Sequence, residues 1–309
     1  MAGMTDGMIA FDAPSSDNLA RAKAFGVGSA GCSMIARSAI PSVAFSTSEA
    51  DLERSGAAVQ SLITPQKLIG LYQADPAIIH QSPSVAGDEM HRLFDGTDIA
   101  FLLAGLGGVS GSLGTAVLGQ LAKGKGALSI ALVASPFSAE SERRREFAAK
   151  CLRRIVGSTD ACIVFGNDAL SDLAPTLPLS KAFAVMNGIM NRPMLDICRV
   201  LDRNGSRILK QAVGEARYGR FGLGLGRGDE RVQRAVDEAF TSPWFDFETS
   251  ETIAAIAVYS AADPWDRERT RLIERVRQRL GDSKIMHGTY RDESLGDSIR
   301  LSLLLMNKL

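Results

Sequence analysis

Apolar and polar positions along this chain follow two periods, and their order predicts the architecture. Short apolar runs of the buried-strand kind stand at 24–27, 42–45, 99–104, 127–134 and 161–165. Between them, helical spacing marks 32–39, 87–94, 115–123 and the charged stretch 140–156. A continuous apolar run such as Ile99-Ala-Phe-Leu-Leu-Ala104 belongs at the centre of a parallel sheet covered on both faces. Strand–helix alternation therefore predicts an α/β fold with a Rossmann-like, doubly wound parallel sheet. Residues 55–85 carry Pro65, Gly70, Pro76 and Pro83 with weak periodicity, which predicts mostly loop and one short helix. Residues 1–20 are polar and rich in Gly, Ser and Asp, and predict a loose arm.

Beyond Leu179 the pattern changes. It is helical to about Tyr218, with an interruption at Asn204-Gly205. The stretch 219–228 then alternates five glycines with apolar residues, as a strand and tight turn do. Helices follow at 229–240 and 267–280, and strands at 252–260, 284–289 and 298–306. The predicted organisation is an arm over 1–20, a nucleotide-binding domain over 21–178, a central connecting helix over 179–205, and a smaller α/β domain over 206–309.

Two glycine-rich stretches close strands and open helices: Gly26-Val-Gly28-Ser29-Ala-Gly31-Cys32 and Gly105-Leu-Gly107-Gly108-Val109-Ser110-Gly111-Ser112-Leu-Gly114. Glycine lets a backbone approach phosphate oxygens, and helix N-termini present unpaired N–H groups and a positive dipole end. Gly26-x-Gly28-x-x-Gly31 alone also fits a dinucleotide fingerprint, with Glu49 where a ribose-binding acid belongs. That reading leaves the second stretch without a purpose.

Composition narrows the classes. The 309 residues carry 35 basic and 35 acidic side chains, a formal net charge of zero, so no global field selects nucleic acid or an anionic membrane. The basic cluster Arg143-Arg144-Arg145 with Arg153-Arg154 suits a solvated helix face. Four cysteines without CxxC spacing, and three isolated histidines, predict neither a disulfide framework nor a metal site. Without an apolar span or charged leader, a cytoplasmic protein without direct membrane contact is expected.

Taken together, the two glycine loops give a chain that resembles the FtsZ/tubulin superfamily, bacterial FtsZ in particular, from about residue 24 onward. The first loop resembles that family's first nucleotide loop, and residues 104–114 resemble its GGGTG[ST]G signature, with Val109 in place of a glycine. Val133-Ala-Ser-Pro-Phe137 with Glu140 and Arg144 resembles the ribose and phosphate loop. Phe165-Gly-Asn167-Asp resembles the stretch whose Asn contacts the base. Ala182-Phe183 resembles the start of the central helix, whose ring stacks on guanine, with Asn187 one turn on. Gly228-Asp-Glu-Arg231 and Thr241-Ser-Pro243 fit the family's C-terminal half. The resemblance implies GTP or GDP held by Gly26, Gly28, Ser29, Gly31, Cys32, Gly105, Gly107, Gly108, Val109, Ser110, Gly111, Ser112, Glu140, Arg144, Asn167, Phe183 and Asn187, with magnesium left open. Packing for Phe183 and helix capping for Glu140 stand as alternatives.

Departures from the family modify that expectation. Gly188 occupies the place of the Asp that reads guanine, and Ser46-Thr47-Ser48 replaces an Asn-x-Asp strand end. The loop over 70–76 keeps its Asp75-Pro76 ending but few glycines. In FtsZ an acidic loop of the next subunit polarises the attacking water. Here Arg203-Asn-Gly205 is followed by Ser206 to Val213, with Arg207 and Lys210 and no carboxylate before Glu215. No catalytic residue is assigned. The expectation is an FtsZ-like cytoskeletal, cell-division type protein that binds guanine nucleotide and self-associates longitudinally, with weak or absent hydrolysis. The alternative is a nucleotide-free pseudo-GTPase that partners or regulates another FtsZ-like filament. The chain ends at Leu309 without the family's linker and tail, so any membrane role is expected to need another protein.

Overall fold

Strands already occur at the start of the chain. β1 (Gly3–Thr5) and β2 (Met8–Phe11) pair antiparallel where the polar composition predicts a loose arm. The alternation in Met8-Ile-Ala-Phe11 is the reason: it buries Ile9 and Phe11 on one face, and β2 adds in parallel to a strand over 284–291. The computed structural model describes residues 3–5, 8–11, 14, 18–76, 79, 86–170, 178–245 and 248–308. These divide into two units, residues 21–191 and residues 1–20 with 192–308.

The first unit runs β3 (Ala22–Val27), α1 (Gly28–Ile35), β4 (Ser42–Ser46), α2 (Glu49–Ser55), β5 (Val59–Leu62), α3 (Pro65–Gln73), α4 (Asp88–Arg92), β6 (Ile99–Gly105), α5 (Val109–Gly124), β7 (Leu128–Ser135), α6 (Glu142–Ser158) and β8 (Ala161–Gly166). Its sheet is wholly parallel, in the order β8-β7-β6-β3-β4-β5. The central strand β6 is buried from Ile99 to Ala104. In the stretch that lacks periodicity α3 is the one short helix expected and β5 falls where loop was expected, while α2 lies just before it, over residues given no element from sequence. α2 ends at Gly56, which takes a left-handed φ of 62°. β5 exposes Val59, Gln60 and Leu62 and buries Ser61, so an edge strand carries no alternating signature.

Helices α1 and α5 begin earlier than their apolar periodicity suggests, at Gly28 rather than 32 and at Val109 rather than 115. The glycine-rich runs are the first turns of the helices themselves. Poor helix propensity yields here to packing, since Gly111 and Gly114 are buried against the sheet.

Helix α7 (Leu179–Val200) carries Pro193 inside it, where the two units divide. Proline removes one ladder hydrogen bond at that point. The second unit continues with α8 (Arg203–Val213), β9 (Tyr218–Gly226), α9 (Arg231–Phe240), β10 (Ala254–Ala261), α10 (Asp266–Leu280), β11 (Lys284–Arg291) and β12 (Ile299–Asn307). Its mixed sheet has the order β1-β2-β11-β10-β12-β9. The alternate glycines Gly222, Gly224 and Gly226 leave no side chain between β9 and the backbone of α9, which lies directly on the strand. Asp196 of α7, buried, accepts from Tyr290 Oη at 2.6 Å, from Arg192 Nε at 2.8 Å and from the Ser302 hydroxyl. That network ties the end of α7 to β11 and β12. Among the described residues no helix is long and apolar enough to cross a membrane.

Candidate functional site

The site follows from two adjacent strand ends. β3 and β6 are parallel neighbours, with Val27 opposite Ala104, so α1 and α5 both start at the same sheet edge. Gly28 opens α1 with φ of 68°, and a Cβ there would stand 2.8 Å from the amide nitrogen of Gly111. Only glycine allows that conformation and that approach. A Cβ on Gly111 would in turn press on the carbonyl oxygen of Gly105. Two helix N-termini thus converge, and their unpaired N–H groups and positive dipole ends face one space.

That space is a cavity of about 700 Å³ within the first unit. Ser29, Gly105, Gly108, Val109, Ser110 and Gly111 line it on the side of the glycine loops, and Glu140, Arg144, Asn167, Phe183 and Asn187 line the rest. The other residues named from sequence support the wall without lining it. Gly26, Gly28, Gly31 and Gly107 permit the close backbone approach. The Ser112 hydroxyl, fully buried, accepts from the Gly107 amide at 2.9 Å and so fixes the second loop. Cys32 lies 3.6 Å from the carbonyl oxygen of Gly26 as a donor. Burial, helped by the Asp51 carboxylate, pushes its thiol up to about 11, so it stays neutral. Val109 is 45% exposed at the cavity rim, where a glycine would leave the backbone open.

The side chains away from the loops combine an exposed ring, a half-buried amide and an ion pair. Phe183 is 39% exposed, which excludes a core role, and its ring meets Phe137 edge-on at 6.0 Å. Among the described residues, none gives the buried Asn167 Oδ1 a hydrogen-bond partner. Such an orphaned acceptor costs free energy unless something in the cavity donates to it. Glu140 does serve its turn, accepting from the Phe137 amide at 2.9 Å, and its other oxygen pairs with Arg144 at 2.8 Å. Gly188 leaves open space where a side chain would be.

Sequence reasoning missed Asp51, Met34 and Met186, which also line the cavity, and it named Phe137 only as part of the 133–137 stretch. Asp51 sits on α2, and only recognition of that helix would have brought it near the loops. It accepts from Ser46 Oγ at 2.9 Å, while the Thr47 and Ser110 hydroxyls meet at 2.7 Å. Among the described residues no three His, Cys, Asp or Glu side chains gather to hold a metal.

The stretch expected to carry catalytic acids is α8, in the second unit. It runs straight through Asn204-Gly205, because the break falls one turn earlier at Asp202. That carboxylate caps the helix, accepting from the Gly205 amide at 2.5 Å. Arg203, Asn204 and Arg207 are exposed on α8, and no Asp or Glu stands between Asp202 and Glu215.

A family model described as Tubulin/FtsZ family, GTPase domain matches residues 35–175. The cell division protein FtsZ of Methanothermobacter thermautotrophicus is 31% identical over 303 residues, spanning 92% of this chain and 79% of that protein. Among solved structures, an empty FtsZ dimer from M. jannaschii superimposes with TM-score 0.80 at 24% identity, covering 94% of this chain and 89% of that one. CetZ2 from Haloferax volcanii, solved as a GTPγS-bound protofilament, superimposes with TM-score 0.72 at 20% identity, over 92% of each chain. With two glycine loops on neighbouring parallel strands and a relative of this similarity across most of its length, the chain belongs to the Tubulin/FtsZ family.

Proposed function

We propose that this protein binds a guanine nucleotide, GTP or GDP, between its two glycine loops, self-associates longitudinally into filaments, and hydrolyses GTP weakly or not at all. The unpaired N–H groups at the starts of α1 and α5 would hold phosphates, and Arg144 with Glu140 the ribose. Phe183 would stack on the base, and the orphaned Asn167 Oδ1 would accept from it. The nucleotide would supply the negative charge that two convergent helix N-termini favour.

The observation that carries the hydrolysis part is the run from Arg203 to Gly214, which holds no carboxylate and ends its upstream acid, Asp202, in a helix cap. A positioned acid or base contributes about 10²–10⁴-fold to such reactions. Arg207 and Lys210 in its place favour docking onto a neighbouring subunit's phosphates over activating water, which gives stable polymers. Sedimentation with GTP, read beside phosphate release, tests this. Assembly without turnover is expected, and turnover at the rate of an acid-bearing FtsZ would refute it.

A second reading is a nucleotide-free partner or regulator of another FtsZ-like filament. It is favoured by Gly188, which cannot read guanine, and by the carboxylates of Asp51 and Glu140 in the cavity wall. Calorimetry that registers no binding of GTP, GDP or ATP selects it.

A further inference from the structure

The loop side of the cavity carries a charge arrangement that the glycine loops do not require. Asp51 lines it with a carboxylate only 12% exposed. Of the cavity-lining side chains, Asp51 and Glu140 are acids and Arg144 is the one cation, already paired with Glu140 at 2.8 Å. A polyphosphate entering this space meets an acid before it meets a free positive charge. One turn along α2, Arg54 answers that charge. Its Nη2 stands 3.6 Å from Asp51 Oδ1, and its Nη1 reaches Ser29 Oγ at 3.5 Å, in the first turn of α1. Both distances are long and the side chain is 57% exposed, so Arg54 is loosely held beside Ser29 and Asp51, which line the cavity.

We propose that Arg54 is the residue by which this site distinguishes a nucleoside triphosphate from a diphosphate: held loosely between Asp51 and Ser29, it turns onto the terminal phosphate when one is present. The inference rests on the nucleotide reading given above. Backbone N–H groups at fixed helix ends hold whichever phosphates lie against them. A long guanidinium adds a charge-assisted contact only to the phosphate that extends to it, and a triphosphate reaches one phosphate further than a diphosphate. Asp51, fixed by Ser46, keeps the guanidinium near the site without binding it firmly.

The experiment is titration calorimetry of the full chain in magnesium buffer, with GTP and with GDP, on the wild type and on Arg54→Gln, Arg54→Lys and Asp51→Asn. Arg54→Gln is expected to lose about tenfold in GTP affinity and less than about twofold in GDP affinity. Arg54→Lys should regain part of the GTP loss. Asp51→Asn, which frees the guanidinium and removes the repelling acid, should raise the preference for GTP over GDP about threefold. A misfolded variant would not give that opposite sign. Equal losses for both nucleotides, or no change in any variant, overturn the role of Arg54 while nucleotide binding stands. A wild-type chain that binds neither nucleotide overturns the nucleotide reading itself, and with it the role of Arg54.

Discussion

Phe183 is an exposed aromatic ring at the mouth of a cavity whose other wall is made of backbone amides. An apolar ring left in water contributes little to stability, so removing it separates binding from folding. Phe183→Ala is expected to cost about 1–3 kcal/mol of nucleotide affinity, by analogy with base–aromatic stacking, with the melting temperature unchanged. Calorimetry beside a thermal melt checks both. Gly188, five positions along the same helix, gives the complementary change. A Cβ there meets nothing within 4 Å, so Gly188→Asp is accommodated without repacking. A carboxylate accepts from two guanine N–H groups, and the variant should favour GTP over ATP about tenfold more than the wild type does. No change in that ratio would place the base elsewhere in the cavity.

Among the elements, α8 carries the proposal of weak or absent hydrolysis. The sequence interruption at Asn204-Gly205 resembles the approach to a catalytic loop, but the backbone there is helical and the acid just before it, Asp202, is a helix cap. Asp202→Ala should therefore cost about 1 kcal/mol of stability, the usual value of an N-cap, and leave phosphate release unchanged. Urea unfolding and a phosphate assay read the two effects independently. The parallel sheet of the first unit was legible because continuous apolar strands such as 99–104 have one home in a covered sheet. β5 and α2 were not, because an edge strand that buries Ser61 and exposes Leu62 has no period to detect. The helix starts were misplaced for a related reason: Gly111 and Gly114 are poor helix formers held helical by their contacts with the sheet. Of the eleven cavity-lining residues recognised from sequence, Ser29, Gly105, Gly108, Val109, Ser110 and Gly111 came from glycine loops fixed by close backbone approach, and Glu140, Arg144, Asn167, Phe183 and Asn187 from the family resemblance. Asp51 and Met186 came from packing between elements, which no local pattern encodes.

At the scale of the whole molecule, stability carries a pH-dependent contribution from a half-buried imidazole. Burial, and after it the Arg269 guanidinium, hold the His287 imidazole below its ordinary value of 6.5. The unfolded chain then takes up the proton more readily, so this contribution to stability is lost as pH falls below 6.5 towards the folded value. His287→Gln should flatten the acid side of the plot of melting temperature against pH, while leaving assembly at neutral pH intact. The proposed function predicts polymer without turnover, because the run from Arg203 to Gly214 offers no acid to activate water. The direct measurement is phosphate release from GTP under conditions in which sedimentation registers polymer. Polymer with phosphate release at the level of a no-protein control is the predicted result. Polymer that releases phosphate steadily, many times per subunit, would contradict it.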